Sequence, residues 1–158
     1  MTERLSETLN WLYSLEARGE IYKLERMDQA LALIGDPHRK LRAVHIAGTK
    51  GKGSVAAMLD AILRAAGYRV GLYTKPHLVH LTERTRIDGA EMPAALMLKY
   101  ITRLRDIYER ADLALTFFEF TVALMFLYFA EAGVVVCKVS KAKGSGDQIE
   151  LLVRKRQT

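Results

Sequence analysis

The stretch His45–Val55, HIAGTKGKGSV, limits how this chain can fold more than any other: glycines and lysines alternate there between an apolar run and a helical pattern. Glycine serves where the backbone needs positive φ or must approach a ligand closely, and it weakens regular elements through lost conformational entropy. Upstream, Leu41–Ala47 is short, apolar and partly β-branched, as a strand is; downstream, apolar residues from Ser54 to Ala66 recur at helical spacing. The glycines therefore occupy a strand-to-helix turn. There the unpaired N–H groups of a first helical turn and the positive end of its dipole face one point, which suits a phosphate. Lys52 adds a mobile charge, and Ser54 adds a hydroxyl that fits either Mg²⁺ or an N-cap. The generic pattern G-x-x-x-x-G-K-[ST] is missed twice: Ile46 stands at the first glycine position, and Gly53 separates Lys52 from Ser54. A ligand-free flexible turn is the competing reading.

Periodicity places the turn in a wider order. Thr2–Ala17 reads as an amphipathic helix stopped near Gly19, and Arg26–Ile34 as a second one closed by Gly35-Asp36-Pro37. Tyr68–Thr74 reads as a second strand, so strand, helix and strand predict a parallel βαβ unit. Lys75-Pro76-His77 ends that strand, and the chain to Gly89 reads as a loop with room for one short strand. In open α/β sheets ligands gather beyond the carboxyl ends of strands, so this loop and the glycine turn should face one crevice. Pro93–Arg110 predicts a helix with Leu96, Met97, Tyr100, Ile101, Leu104, Ile107 and Tyr108 on one face. Thr116-Phe117-Phe118-Glu119 fits a capping box opening a helix to Ala132, and Val134–Val139 is a candidate third strand.

With 158 residues, half of them hydrophobic and 27% charged, the chain has globular composition. The longest apolar run, Phe120–Ala130, is too short for a membrane span and suits a buried helix. The single cysteine excludes an internal disulfide and agrees with a cytoplasmic setting. Of the net charge of +6, +4 lies between Lys138 and Thr158, in a tail without interleaved aromatics. That is a solvated segment rather than a nucleic-acid surface, and no nucleic-acid or membrane partner is expected.

Gly48-Thr49-Lys50-Gly51-Lys52-Gly53-Ser54 resembles the G-T-N-G-K-G-S loop of the folylpolyglutamate and dihydrofolate synthase family, relatives of the Mur ligases, with Lys50 in place of Asn. The likeness extends through IYKLERM (21–27), GDPHRKLRAVHIAGT (35–49), GYRVGLYTKPHLVHLTERTRIDG (67–89) and LTFFEFTVALMFLYFAEAGV (115–134), and then stops. It implies an α/β fold, a P-loop-type parallel sheet flanked by helices, as the N-terminal portion of a Mur-ligase-like ATPase domain. Residues 1–134 would be a partial ATP-binding domain and 135–158 a divergent basic tail, frameshifted or linker-like.

The resemblance also implies roles. Gly48, Thr49, Lys50, Gly51, Lys52, Gly53 and Ser54 would bind ATP, with Ser54 on Mg²⁺ and Lys52 and His77 as catalytic groups. Pro76, Glu83, Arg84, Arg86, Thr116 and Phe118 would border a folate or dihydropteroate acceptor. Each has a plainer alternative: an exposed charge cluster for 83–86, cap and core for Thr116 and Phe118. Lys75 stands where the family carries a metal-side Ser, and Ser140 where it carries a metal-side Glu. The implied activity is ATP-dependent addition of L-glutamate through an acyl phosphate, by a monomeric parent enzyme of folate biosynthesis. This chain is expected to be a truncated form, weakly active or inactive alone. The alternatives are a non-catalytic nucleotide-binding module and a small P-loop phosphotransferase.

Overall fold

The computed structural model describes residues 2–19, 24–46, 50–139 and 149–150. They fall into two compact units, one from Met1–His38 with Pro93–Tyr128 and one from Arg39–Met92 with Phe129–Thr158.

The first unit is helical: α1 (Thr2–Ser14), α2 (Leu24–Leu33), α4 (Ala94–Arg110) and α5 (Phe117–Ala132) as far as Tyr128. Of the face expected for α4, Met97, Tyr100, Ile101, Leu104 and Tyr108 are buried, while Leu96 and Ile107, at its margins, are only half-buried. Pro93 stands at the N-cap of α4, where its missing N–H is harmless. Trp11 meets Phe120 edge-on at 5.3 Å, and Tyr108 meets the same ring at 5.9 Å. The Tyr108 hydroxyl donates to the Ala30 carbonyl at 3.2 Å, and burial raises its phenol above the usual range. α5 is apolar all round and buried at every position from Glu119 to Met125, as such a helix must be.

Among the described residues, the second unit carries a six-stranded sheet in the order β4-β3-β2-β5-β1-β6. Its strands are β1 (Ala43–Ile46), β2 (Val70–Tyr73), β3 (Thr85–Ile87), β4 (Ala90–Glu91), β5 (Val135–Val139) and β6 (Ile149–Glu150). β1 and β2 are parallel, as the βαβ reading requires, but they are not neighbours. β5 runs between them, parallel to both, with Val44 and Leu72 each opposite Cys137. Antiparallel β3 and β4 extend one edge, and antiparallel β6 the other. α3 (Lys52–Ala65) lays Ala56, Leu59 and Leu63 on Val44, Ile46, Val70 and Leu72.

The sheet tolerates no side chain at Gly71. A Cβ there would lie 2.8 Å from Val134 Cγ2 and 2.9 Å from the Phe129 ring, and both partners are buried. Gly71→Ala is therefore expected to destabilise the chain by about 1–3 kcal/mol through overpacking. Thermal unfolding should show a Tm lower by about 3–10 °C.

Candidate functional site

β1, β2 and β5 run in one direction, so their carboxyl ends share one edge of the sheet, at Ile46, Tyr73 and Val139. The chain leaves β1 toward the glycine turn and β2 toward residues 74–84 at this same edge. Gly48 and Thr49 lie outside the described residues, as do Ser140 and most of the basic tail.

From Lys50 onward the turn is defined. Gly51 is the N-cap of α3 and adopts φ 75°, ψ −3°, a left-handed conformation that glycine takes without strain. Its carbonyl accepts the Val55 N–H at 3.0 Å, so the helix is closed one residue before Lys52. Ser54 is therefore not the N-cap. It is an exposed residue of the first turn, and its hydroxyl is left to the ligand reading. Lys50 is exposed and Lys52 half-buried. The N–H groups of the first turn have no intrahelical acceptor and carry the positive end of the dipole of a 14-residue helix.

Gly53 has an ordinary φ, and a Cβ added there would meet nothing within 4 Å. Nothing among the described residues thus requires glycine at this helical position, where alanine is better by about 0.5–1 kcal/mol. Gly53→Ala is expected to raise the stability of the free chain by that amount and to weaken nucleotide binding, because the methyl group blocks close approach to the backbone. Thermal unfolding and a nucleotide titration, run in parallel, would move in opposite directions.

Beyond β2, Pro76 is exposed after a cis Lys75–Pro76 bond. Arg84 Nε donates to His77 Nδ1 at 2.8 Å, so the ring proton of His77 sits on Nε2. Glu83 accepts three backbone N–H groups, from Leu78 and Val79 at 2.8 Å and His80 at 2.7 Å. Those bonds hold its carboxyl at about 2, well below its ordinary 4.5. Arg86 pairs with Glu91 at 3.5 Å, and Glu91 also accepts the Thr82 hydroxyl at 2.8 Å. The expected exposed charge cluster is thus a set of internal contacts. The stretch expected to be mostly loop contains a hairpin whose turn, Asp88-Gly89, has φ 52° and 84°. Positive φ at both central residues is what a type I′ turn demands, and the Asp-Gly dipeptide is its sequence signal.

Thr116 and Phe118 belong to the other unit. Thr116 is buried, and its N–H and hydroxyl both donate to Glu119 Oε2 at 2.9 Å while its Oγ1 accepts the Glu119 N–H at 3.3 Å. The capping box is formed. Glu119 has a further partner that spacing along the chain does not reveal: Arg26, 93 residues away, donates to Oε1 from Nε at 3.0 Å and from Nη2 at 2.9 Å.

The first-turn amides of α3, the glycines at 51 and 53 and the Lys52 side chain fit a polyphosphate. For Mg²⁺ the described residues offer the Ser54 hydroxyl, and no group of three or more His, Cys, Asp or Glu among them could hold a metal. Among the described residues no helix is long and apolar enough to cross a membrane.

No family model matches the chain. It is 38% identical over 141 residues to a protein of Haloferax volcanii described as a probable bifunctional folylpolyglutamate synthase/dihydropteroate synthase, covering 87% of this chain and 17% of that one. It is 35% identical over 137 residues to the dihydrofolate synthase/folylpolyglutamate synthase of Escherichia coli, covering 85% and 32%. A solved structure described as an FPGS–AMPPCP–folate complex superposes with a TM-score of 0.79 at 33% identity, covering 90% of this chain and 36% of that one. The chain thus spans about a third or less of the length of these relatives.

Proposed function

We propose that this chain, which belongs to the folylpolyglutamate/dihydrofolate synthase family, is the nucleotide-binding part of an ATP-dependent ligase joining L-glutamate to a dihydropteroate or folate acceptor. The observation that carries this reading is the left-handed Gly51 cap followed by Lys52, at the carboxyl edge of the parallel strands. The AMPPCP–folate complex of a relative with the same fold supports it.

In this reading Gly48, Thr49, Lys50 and Gly51 to Ser54 cradle the triphosphate of ATP. The first-turn amides hold the phosphate oxygens without reorganising, and the Lys52 ammonium offsets charge on the transferring γ-phosphoryl group. The acceptor carboxylate attacks that phosphorus, ADP leaves, and an acyl phosphate forms. The amine of L-glutamate then attacks the acyl carbon, phosphate leaves, and the amide is made. Mg²⁺, held by the Ser54 hydroxyl and the phosphates, would supply further charge neutralisation. His77 and Pro76, on the loop after β2, border the acceptor, and Arg84 and Arg86 reinforce that border. Thr116 and Phe118 are assigned to the acceptor side through family membership, beside their role in capping and packing α5.

The test is ligation of radiolabelled glutamate to dihydropteroate and to folate, with ATP binding measured on the same sample. ATP binding with weak ligation is the expected result. Phosphorylation of another acceptor with no glutamate requirement would favour the small phosphotransferase, and absence of ATP binding would defeat the proposal.

A further inference from the structure

The short turn Leu81–Arg84 reaches back along the chain twice. Glu83 Oε1 accepts the N–H groups of Val79 and His80, and Oε2 accepts that of Leu78. Arg84 Nε donates to the neighbouring His77 ring. Four consecutive residues, His77 to His80, are thus held by two adjacent side chains. Three successive amides pointing at one centre form a concavity of the kind that captures anions, and here the anion comes from the chain itself. A carboxylate has about four acceptor positions, and three are filled, so little of Glu83 is left for a substrate. Held this way, Leu78 and Val79 point outward, 89% and 72% exposed, beside the half-buried His77.

We propose that Glu83 is a positioning residue rather than a substrate ligand: its carboxylate, with Arg84, sets the 77–80 loop so that His77, Leu78 and Val79 meet the acceptor. The role rests on the reading that this loop borders a pterin-type acceptor. The tether itself does not depend on that reading, because it is complete in the free chain.

The decisive variant is Glu83→Gln, which keeps the shape but offers one acceptor oxygen and places an NH₂ against the remaining amide. Amide hydrogen exchange at Leu78, Val79 and His80 is expected to quicken about fivefold or more, with β2 and α3 amides unchanged. Folate affinity measured with AMPPCP present should fall about fivefold, while AMPPCP affinity stays within about twofold. The charge can be read separately. A carboxyl lowered from 4.5 to about 2 contributes order above 4.5 and loses it as pH falls through about 2. Wild-type amide resonances of Leu78, Val79 and His80 should therefore show no titration centred near pH 4.5. Unchanged exchange in Glu83→Gln, or a titration centred near 4.5, would overturn the tether. Faster exchange with unchanged folate affinity would overturn its link to the acceptor. A wild-type chain that binds AMPPCP but no folate would instead overturn the acceptor reading of the loop, with the exchange result still deciding the tether.

Discussion

Lys52→Ala is expected to lower ATP affinity by about ten- to a hundredfold, the range that loss of one charge-assisted hydrogen bond produces. Lys52 is the first residue of α3, directly after the left-handed Gly51, at the end of the helix whose amides are proposed to receive the phosphates. Alanine is the best helix former, so helix propensity is kept in this variant. Isothermal titration with ATP, paired with thermal unfolding, separates lost binding from lost folding. Lys50→Ala, on the exposed side of the turn, should lose much less. An ATP affinity indifferent to Lys52 would remove that residue from the site.

Arg26→Ala should destabilise the chain strongly, by about 3 kcal/mol or more. Glu119 is 3% exposed, and its Oε1 is held by Arg26 while its Oε2 serves the Thr116 cap. Taking away one partner of a buried ion pair leaves the other charge with less compensation, which is why such losses exceed the net worth of the pair. For a chain of this size the Tm should fall by about 6–12 °C. Glu119→Gln in the Arg26→Ala background removes the stranded charge and should recover part of that loss. If Arg26→Ala unfolds at the wild-type temperature, Glu119 is not held as described.

The elements with strong periodicity were legible in the chain itself. The α4 face, the Thr116–Glu119 capping box and the strand character of 70–73 follow from local spacing, and the structure forms each of them. Strand order was not legible, because periodicity states that β1 and β2 are strands but not that β5 enters between them. The Arg26–Glu119 pair spans 93 residues, a separation at which side-chain chemistry leaves no pattern. Asp88-Gly89 carries a hairpin signal in the sequence, and its left-handed φ values form the turn that this signal specifies. Around Glu83 the sequence left an acceptor border and an exposed charge cluster open. The structure turns those charges on neighbouring backbone and side chains, a choice that depends on how the 77–80 loop folds back and not on composition.

The central claim is that the amides at the start of α3 receive a triphosphate. Titrating the wild-type chain with ATP while following backbone amide resonances tests it most directly. The account predicts that the largest shifts fall on Gly51, Lys52, Gly53 and Ser54 and are strongly reduced in Lys52→Ala. Saturating ATP that leaves those four amides unmoved, or moves only residues elsewhere, would contradict it.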